Sequence, residues 1–472
     1  MIALIKKIAS AFSDGSEPED SFLWGSNQVF GPASRWFYHL LLTGVCFIGG
    51  TGSGKTRRLL LTLLDALLQL RSLQPENKKW AALIIDPKLS FASMFIEMAG
   101  KRGLSQTVFV LDGRTRFFRI NLLKSGLPAQ KIAEMLNASL FAGAPMTKSS
   151  GAAFYEKRSV ALAGNLIELA QLSSDPSLKT VSNMVDALSS GQMISCARFE
   201  GKEALQRIEA FLNDDPRERK MVLSSVHNML EPFRSAPWRA IFYEGGEFNL
   251  DVARDEGLII VCAFSFNLTP NLSTGLYLIK QAWFTTIMAR MDRQIKCNRE
   301  RYCLFVADEF QQLCGRGSEA DFFAVRREAR GCPIVAFQQI SQIRSALGDE
   351  WETVLGLLTN KIFLRNSDPD TNFYAQKLAG EVDVQTESVT QTSDYWGSAY
   401  DEKSRTLSSQ TRSRVPADYL FSLPDGDALL LGDERKLYWF PSQGMSLSEE
   451  KAWRKAKWPQ RPRLLPPRQY RA

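Results

Sequence analysis

Only two histidines, His39 and His227, occur in the 472 residues, and the seven cysteines include no C-x-x-C pair. Zinc-ligand spacing and a disulfide framework are therefore both excluded, which points to a reducing compartment. Cys46 and Cys262 lie inside apolar runs and read as small buried hydrophobes. Neither histidine has a partner pattern, so neither receives a role. No stretch approaches the ~18 uncharged apolar residues that a membrane span requires. The opening Met1–Ala9 is interrupted by Lys6 and Lys7 and lacks the apolar core of a secretory signal. The chain is expected in the cytoplasm, or peripheral at the inner face of the cell membrane. A broadly basic body is missing too. Net charge is +7, but residues 451–472 hold eight Lys or Arg and no acid, so the remainder carries −1. Any nucleic-acid site on the body must be local. The tail interleaves its cations with Trp453, Trp458 and Tyr470, a composition suited to phosphate contact and base stacking. A solvated tail, or one docking on an acidic partner, is an equal reading.

What remains is a chain able to build a substantial core, with 44% hydrophobic and 23% charged residues. From Leu40 onward strands alternate with helices. Apolar runs at Gly44–Ile48, Ala81–Asp86 and Thr107–Leu111 read as strands, with helices over Arg57–Leu70 and Phe91–Ala99. This alternation predicts an α/β fold with a mostly parallel sheet covered on both faces. Residues 125–245 break the rhythm: five helices are expected at Ala129–Leu140, Ala153–Leu172, Thr180–Leu188, Lys202–Leu212 and Glu218–Phe233. Strands resume at Leu258–Ala263, Tyr302–Asp308, Pro333–Gln338 and Lys361–Arg365, with a long helix at Tyr277–Gln294. Residues 383–414, rich in Ser, Thr and Gln, read as a long loop or arm. A last hairpin is expected from Asp427–Leu431, a turn at Gly432–Arg435 and Lys436–Phe440. The resulting division is a lead-in at 1–35, a nucleotide-binding domain in two parts at 36–124 and 246–445, an all-α domain inserted at 125–245, and a basic tail at 446–472.

Gly49-Gly50-Thr51-Gly52-Ser53-Gly54-Lys55-Thr56 fits G-x-x-x-x-G-K-[ST] at every position, between a β-run and a helical run. Glycines let successive N–H groups turn inward around phosphates, and the helix N-terminus adds partial positive charge. Lys55 is expected to reach the β- and γ-phosphates of ATP, and the Thr56 hydroxyl to ligate Mg²⁺. Leu304–Glu309 is an apolar strand ending in two carboxylates: Asp308 suits the Mg²⁺ hydration shell, and Glu309 suits orienting the attacking water. Gln338 ends the next strand, where an amide can touch the γ-phosphate or its water. Arg326, Arg327 and Arg330 fall on the helix expected between those two strands. In a ring of subunits, one of them could reach a neighbour's γ-phosphate. Asp86-Pro87-Lys88 reads either as a turn opening a helix or as support for the loop.

These segments together resemble the type IV coupling proteins, the conjugative DNA-transfer ATPases of the TraD/TraG type. The resemblance rests on the loop at 49–56, Ile-Asp-Pro-Lys at 85–88, Arg-Ile-Asn-Leu-Leu at 119–123, Asp-Glu-Phe at 308–310, Arg-Arg-Glu-Ala-Arg-Gly at 326–331 and Gln-Gln-Ile-Ser-Gln-Ile at 338–343. It spans about residues 40–380, and the portion from Asp308 to Gln342 is far more specific than the loop. It implies a RecA-like P-loop motor with an inserted all-α domain, forming a homo-hexamer around DNA. It implies as partners a relaxase and type IV secretion channel components, with single-stranded DNA as cargo. By matching position, Asp308 and Glu309 become the Walker B pair, Gln338 a sensor and Arg327 a trans-acting finger, with Arg330 as alternative. Family members commonly begin with transmembrane helices and this sequence shows none, so membrane contact is expected only through a partner. A chromosome-segregation or viral genome-packaging pump shares this chemistry. So does a nucleotide-stabilised adaptor that receives substrates at a secretion channel.

Overall fold

The computed structural model describes residues 21–23, 35–37 and 41–441, apart from 113–118, 143–151, 196–197, 247–249, 266, 293, 295–296, 316–318, 393–401, 426 and 432–436. The expected lead-in, the 432–435 turn and the basic tail lie wholly or largely outside these residues. Strands β1 (Ser21–Leu23) and β2 (Arg35–Phe37) pair antiparallel as a separate short ladder.

The main sheet is built from β3 (Val45–Ile48), β4 (Ala81–Asp86), β5 (Val108–Leu111), β6 (Ile259–Ala263), β7 (Cys303–Ala307), β8 (Gly331–Phe337), β9 (Asn360–Leu364), β12 (Asp427–Leu431) and β13 (Leu437–Pro441). Their spatial order is β13-β12-β9-β3-β8-β7-β4-β6-β5. From β9 to β5 every neighbouring pair is parallel, whereas β12 pairs antiparallel with both β9 and β13. Parallel strands need crossovers and are covered on both faces, which is why their sequences are unbroken apolar runs. The side chains of β3 divide accordingly. Val45 and Phe47 join a core with Leu60, Leu64, Leu67 and Phe95, while Cys46 and Ile48 join the core on the opposite face. Leu60, Leu64 and Leu67 belong to a wide π-type turn at Lys55–Leu60 running into helix α1 (Leu61–Leu73), and Phe95 belongs to α2 (Ala92–Lys101).

Between Leu111 and Ile259 the described residues contain no strand. They form α3 (Ala129–Ser139), α4 (Ala152–Gln171), α5 (Leu178–Ser189), α6 (Lys202–Leu212) and α7 (Pro216–Arg234), then a short α8 (Leu250–Glu256). Their apolar faces, including Ile132, Leu166, Val185 and Val226, are continuous with the core on the Cys46 side of the sheet. Trp238 ties the two together. Its indole N–H donates to Pro270 O at 2.9 Å, and its ring lies so close to Gly275 of α9 (Leu272–Met288) that a β-carbon there would sit 2.3 Å from it.

Two expectations are corrected. The stretch expected as a long loop or arm is, over its described residues, an arm of strands: β10 (Glu381–Thr392) and β11 (Glu402–Ser413) form an antiparallel ribbon twelve residues long on each strand. Ser, Thr and Gln serve well in a ribbon outside the main sheet, so no apolar alternation marks it. The three arginines are not helical either. Helix α10 (Glu319–Val325) stops before them, and Arg326 to Arg330 form the turn into β8, with Arg330 at φ 53°. A left-handed residue cannot continue a right-handed helix. Six cysteines are described, all of them free thiols, and all but Cys297 are buried. Burial pushes the Cys46 thiol up to about 12. No described helix is long and apolar enough to cross a membrane.

Candidate functional site

The site lies at the carboxyl ends of β3, β4, β7, β8 and β9, where a parallel sheet leaves a crevice. Gly49–Thr56 leaves β3 and is anchored at its start by Gly49 N donating to Phe337 O (3.3 Å) and Gly50 N donating to Arg365 O (3.0 Å). Gly52 and Gly54 have φ of 81° and 92°, the region that only glycine enters without steric cost. Arg58 N donates to Gly54 O at 2.8 Å, so the helix begins directly at the loop and its free N–H groups face the crevice.

Lys55 is buried, and its ammonium has no hydrogen-bond partner among the described residues. It lies 3.7 Å from Asp308 Oδ1 and 3.9 Å from Glu309 Oε1, close enough for attraction but with its protons uncommitted. Ser53 Oγ is likewise buried and, among the described residues, unpartnered. Orphaned donors enclosed by a glycine loop are costly unless they meet an acceptor-rich ligand, and a triphosphate fits them. Thr56 Oγ1 donates to Asp308 Oδ2 at 3.0 Å, joining residues 252 positions apart. A hydroxyl beside a carboxylate at the mouth of such a loop is the oxygen donor set that Mg²⁺ takes when bound with nucleotide phosphates.

Strand order explains the next contact. β3 and β7 are not adjacent, because β8 runs between them. Gln338, directly after β8, therefore sits between loop and carboxylates. Its Nε2 donates to both oxygens of Glu309 at 3.1 Å, and its Oε1 accepts from Thr51 Oγ1 at 3.4 Å. Asn366, just past β9, donates to Gln338 O at 2.7 Å and steadies that end.

Glu309 has a left-handed backbone (φ 51°), an uncommon conformation for a non-glycine residue and one found at functional sites. Gln311 Nε2 donates to its Oε2 and Lys88 Nζ to its Oε1, both at 2.7 Å. Burial opposes its charge. The Lys55 ammonium and hydrogen bonds from Lys88, Gln338 and Gln311 outweigh that and hold its carboxyl below the usual value. Gln311 carried no motif and could not have been singled out; Lys88 lay in a motif whose spacing said nothing of Glu309.

Asp86, fully buried, shapes the turn that carries Lys88. Its Oδ1 accepts from Ser90 N and Oγ (both 3.0 Å) and Lys88 N (3.3 Å), and its Oδ2 from Phe91 N and Ala92 N (both 2.8 Å). Burial pushes its carboxyl above the usual value, against the pull of the backbone N–H groups; the charge of Asp308 adds to the rise. Asp86→Ala would orphan these donors at the start of α2, and a loss of about 2 kcal/mol in unfolding free energy is expected. A denaturant titration checks this; a loss under about 0.5 kcal/mol would mean the turn holds without the carboxylate.

The arginines differ sharply. Arg326 is buried and donates to Phe323 O and Thr43 O. Arg330 donates to Glu300 O at 2.5 Å and lies 5.3 Å from the Tyr302 ring centroid. Arg327 is exposed. All three stand at the amino-terminal end of β8, away from their own chain's phosphate loop.

Residues 302–425 match a family model described as the TraM recognition site of TraD and TraG. Compared by sequence with curated proteins, the chain matches none. Among solved structures it is similar to the bacterial conjugative coupling protein TrwBdeltaN70 in an unbound form, at 17% identity over 91% of this chain and 95% of that one, with a TM-score of 0.63. The plasmid coupling protein TrwB in complex with ADP and Mg²⁺ gives 18% identity, 92% and 97% coverage and a TM-score of 0.59. VirB4 of Thermoanaerobacter pseudethanolicus gives 13%, 93% and 100%, with a TM-score of 0.52. At such identities the likeness is one of fold, a RecA-like P-loop fold with an all-α unit. Residues 302–425, which include both carboxylates, Gln338 and the ribbon, thus match the TraD/TraG model, in a chain whose whole fold is similar to that of a conjugative coupling protein.

Proposed function

We propose that this protein hydrolyses ATP to drive DNA as the coupling protein of conjugative transfer through a type IV secretion system. One observation carries the reading: the Gly49–Thr56 loop meets Asp308, Glu309 and Gln338 in one crevice, within a fold shared with proteins of that role. ATP and Mg²⁺ suit the site, and TrwB has been solved with ADP and Mg²⁺ and with a non-hydrolysable ATP analogue. In this reading the loop amides and Lys55 bind the phosphates, while Thr56 and Asp308 hold Mg²⁺, which offsets phosphate charge when bound. Glu309 orients a water against the γ-phosphorus and takes its proton as the bond to ADP breaks. Gln338 touches both Glu309 and the loop, so nucleotide state passes through it to α11 (Ile340–Leu347), which begins two residues later.

Arg327 is the finger in this reading. Arg326 and Arg330 are engaged within their own chain, whereas Arg327 is free to reach a neighbouring subunit. A finger supplied in trans calls for a ring, and we take the homo-hexamer, the relaxase and the channel components as its assembly, with membrane contact through a partner. Residues 36–124 and 246–445 form one nucleotide-binding unit interrupted by 125–245. The pairing of β4 with β6 across the strandless stretch supports that division.

The test is ATP turnover with and without single- and double-stranded DNA. Stimulation by DNA is expected, and turnover indifferent to DNA would overturn the motor reading. Deleting 451–472 should weaken DNA binding and flatten its salt dependence, since up to eight phosphate contacts are lost. An unchanged salt slope would assign the tail to something else.

A further inference from the structure

We infer that Lys88 is a specificity-determining residue that reads the γ-phosphate, leaving Glu309 for it when ATP is bound and staying on Glu309 when ADP is bound. The inference rests on the nucleotide-binding reading above and extends it to a residue outside the phosphate loop and the carboxylate pair.

Two ammonium groups converge on one carboxylate oxygen. Lys88 Nζ is 2.7 Å from Glu309 Oε1, and Lys55 Nζ is 3.9 Å from the same atom. Their separation is therefore at most the sum of those distances, 6.6 Å. A phosphoryl group bridging two ammonium groups spans up to roughly 8 Å, given N–O contacts of about 2.8 Å on each side. A γ-phosphate held by Lys55 thus lies within reach of Lys88. The shorter chain of phosphates in ADP ends before that point.

The two ends of the Lys88 side chain have opposite freedoms. Its backbone is fixed, because Asp86 accepts hydrogen bonds from Lys88 N and from the next residues of the turn. Its side chain is 44% exposed, against 7% for Lys55, so it can swing without opening the core. Glu309 is not stranded when Lys88 departs. Gln338 Nε2 still donates to both oxygens and Gln311 Nε2 to Oε2. Exchange gives Lys88 a more highly charged partner and frees a lone pair on Oε1, the position a water must occupy to be oriented by Glu309. Reading the γ-phosphate and readying the carboxylate become one event.

The test measures affinity. Mg²⁺-ADP and a Mg²⁺-bound non-hydrolysable ATP analogue are titrated calorimetrically into the full chain, into Lys88→Met and into Lys88→Arg. In Lys88→Met the analogue should bind about 10-fold more weakly, the surplus of the phosphate contact over the Glu309 contact it replaces, while ADP changes less than about 2-fold. Lys88→Arg should restore most of the preference. Equal weakening of both ligands, or of neither, overturns the inference while leaving the site reading intact. Failure of the unaltered chain to bind either ligand overturns the site reading, and the inference falls with it.

Discussion

Glu309→Gln is expected to bind ATP and Mg²⁺ and yet turn over about 10²- to 10⁴-fold more slowly, the range for losing a positioned general base. The amide has the volume of the carboxylate and keeps one acceptor, so Lys88 can still donate to it. It cannot take a proton from water. The geometry adds a second loss. Glu309 accepts only from donors: Lys88, Gln311 and Gln338. An NH₂ in place of Oε2 faces the NH₂ of Gln311, which loses its acceptor, while Gln338 keeps the remaining oxygen. A change of one atom thus removes the base and one of the contacts that hold residue 309. Single-turnover kinetics with pre-bound ATP separates chemistry from binding. Turnover within a few-fold of the unaltered protein would remove Glu309 from the reaction.

Lys55→Ala is the complementary case, with binding itself expected to fall by at least about 10²-fold. The buried ammonium has no hydrogen bond to lose among the described residues, and the desolvation relieved by its removal offsets the lost attraction to Asp308 and Glu309. The bound state loses a charge-assisted contact to each of two phosphates, at roughly 1.5–3 kcal/mol apiece. The damage should thus appear in nucleotide affinity and not in the unfolding midpoint. Equilibrium titration with a fluorescent non-hydrolysable ATP analogue measures the first, and thermal unfolding the second. Tight binding by Lys55→Ala would refute the loop assignment outright.

Local order was legible wherever the physics is local. Ala81–Asp86 and Lys202–Leu212 have the bounds their apolar patterns predict. The first is a strand buried on both faces, the second an amphipathic helix with Ala204 and Ile208 inward. The ribbon of Glu381–Thr392 and Glu402–Ser413 was not legible as strands, because a strand pair outside the main sheet needs no apolar face. The end of α10 before Arg326 was hidden too. Its cause is the turn closed by Gly331 N donating to Arg326 O at 2.7 Å, and no motif announces that contact.

The sequence by itself determined that a glycine loop would join a strand to a helix and that two carboxylates would end a buried strand, since both follow from residues adjacent in the chain. Only the tertiary structure decided what these face. β8 lies between β3 and β7, which places Gln338 against Glu309 and Thr51, and the turn after β4 brings Lys88 to the same carboxylate across 221 positions. Strand order in a parallel sheet is set by crossover packing over long separations, and no local pattern encodes it. The glycine loop was therefore readable at once, while the cluster of side chains gathered around it had to await the sheet.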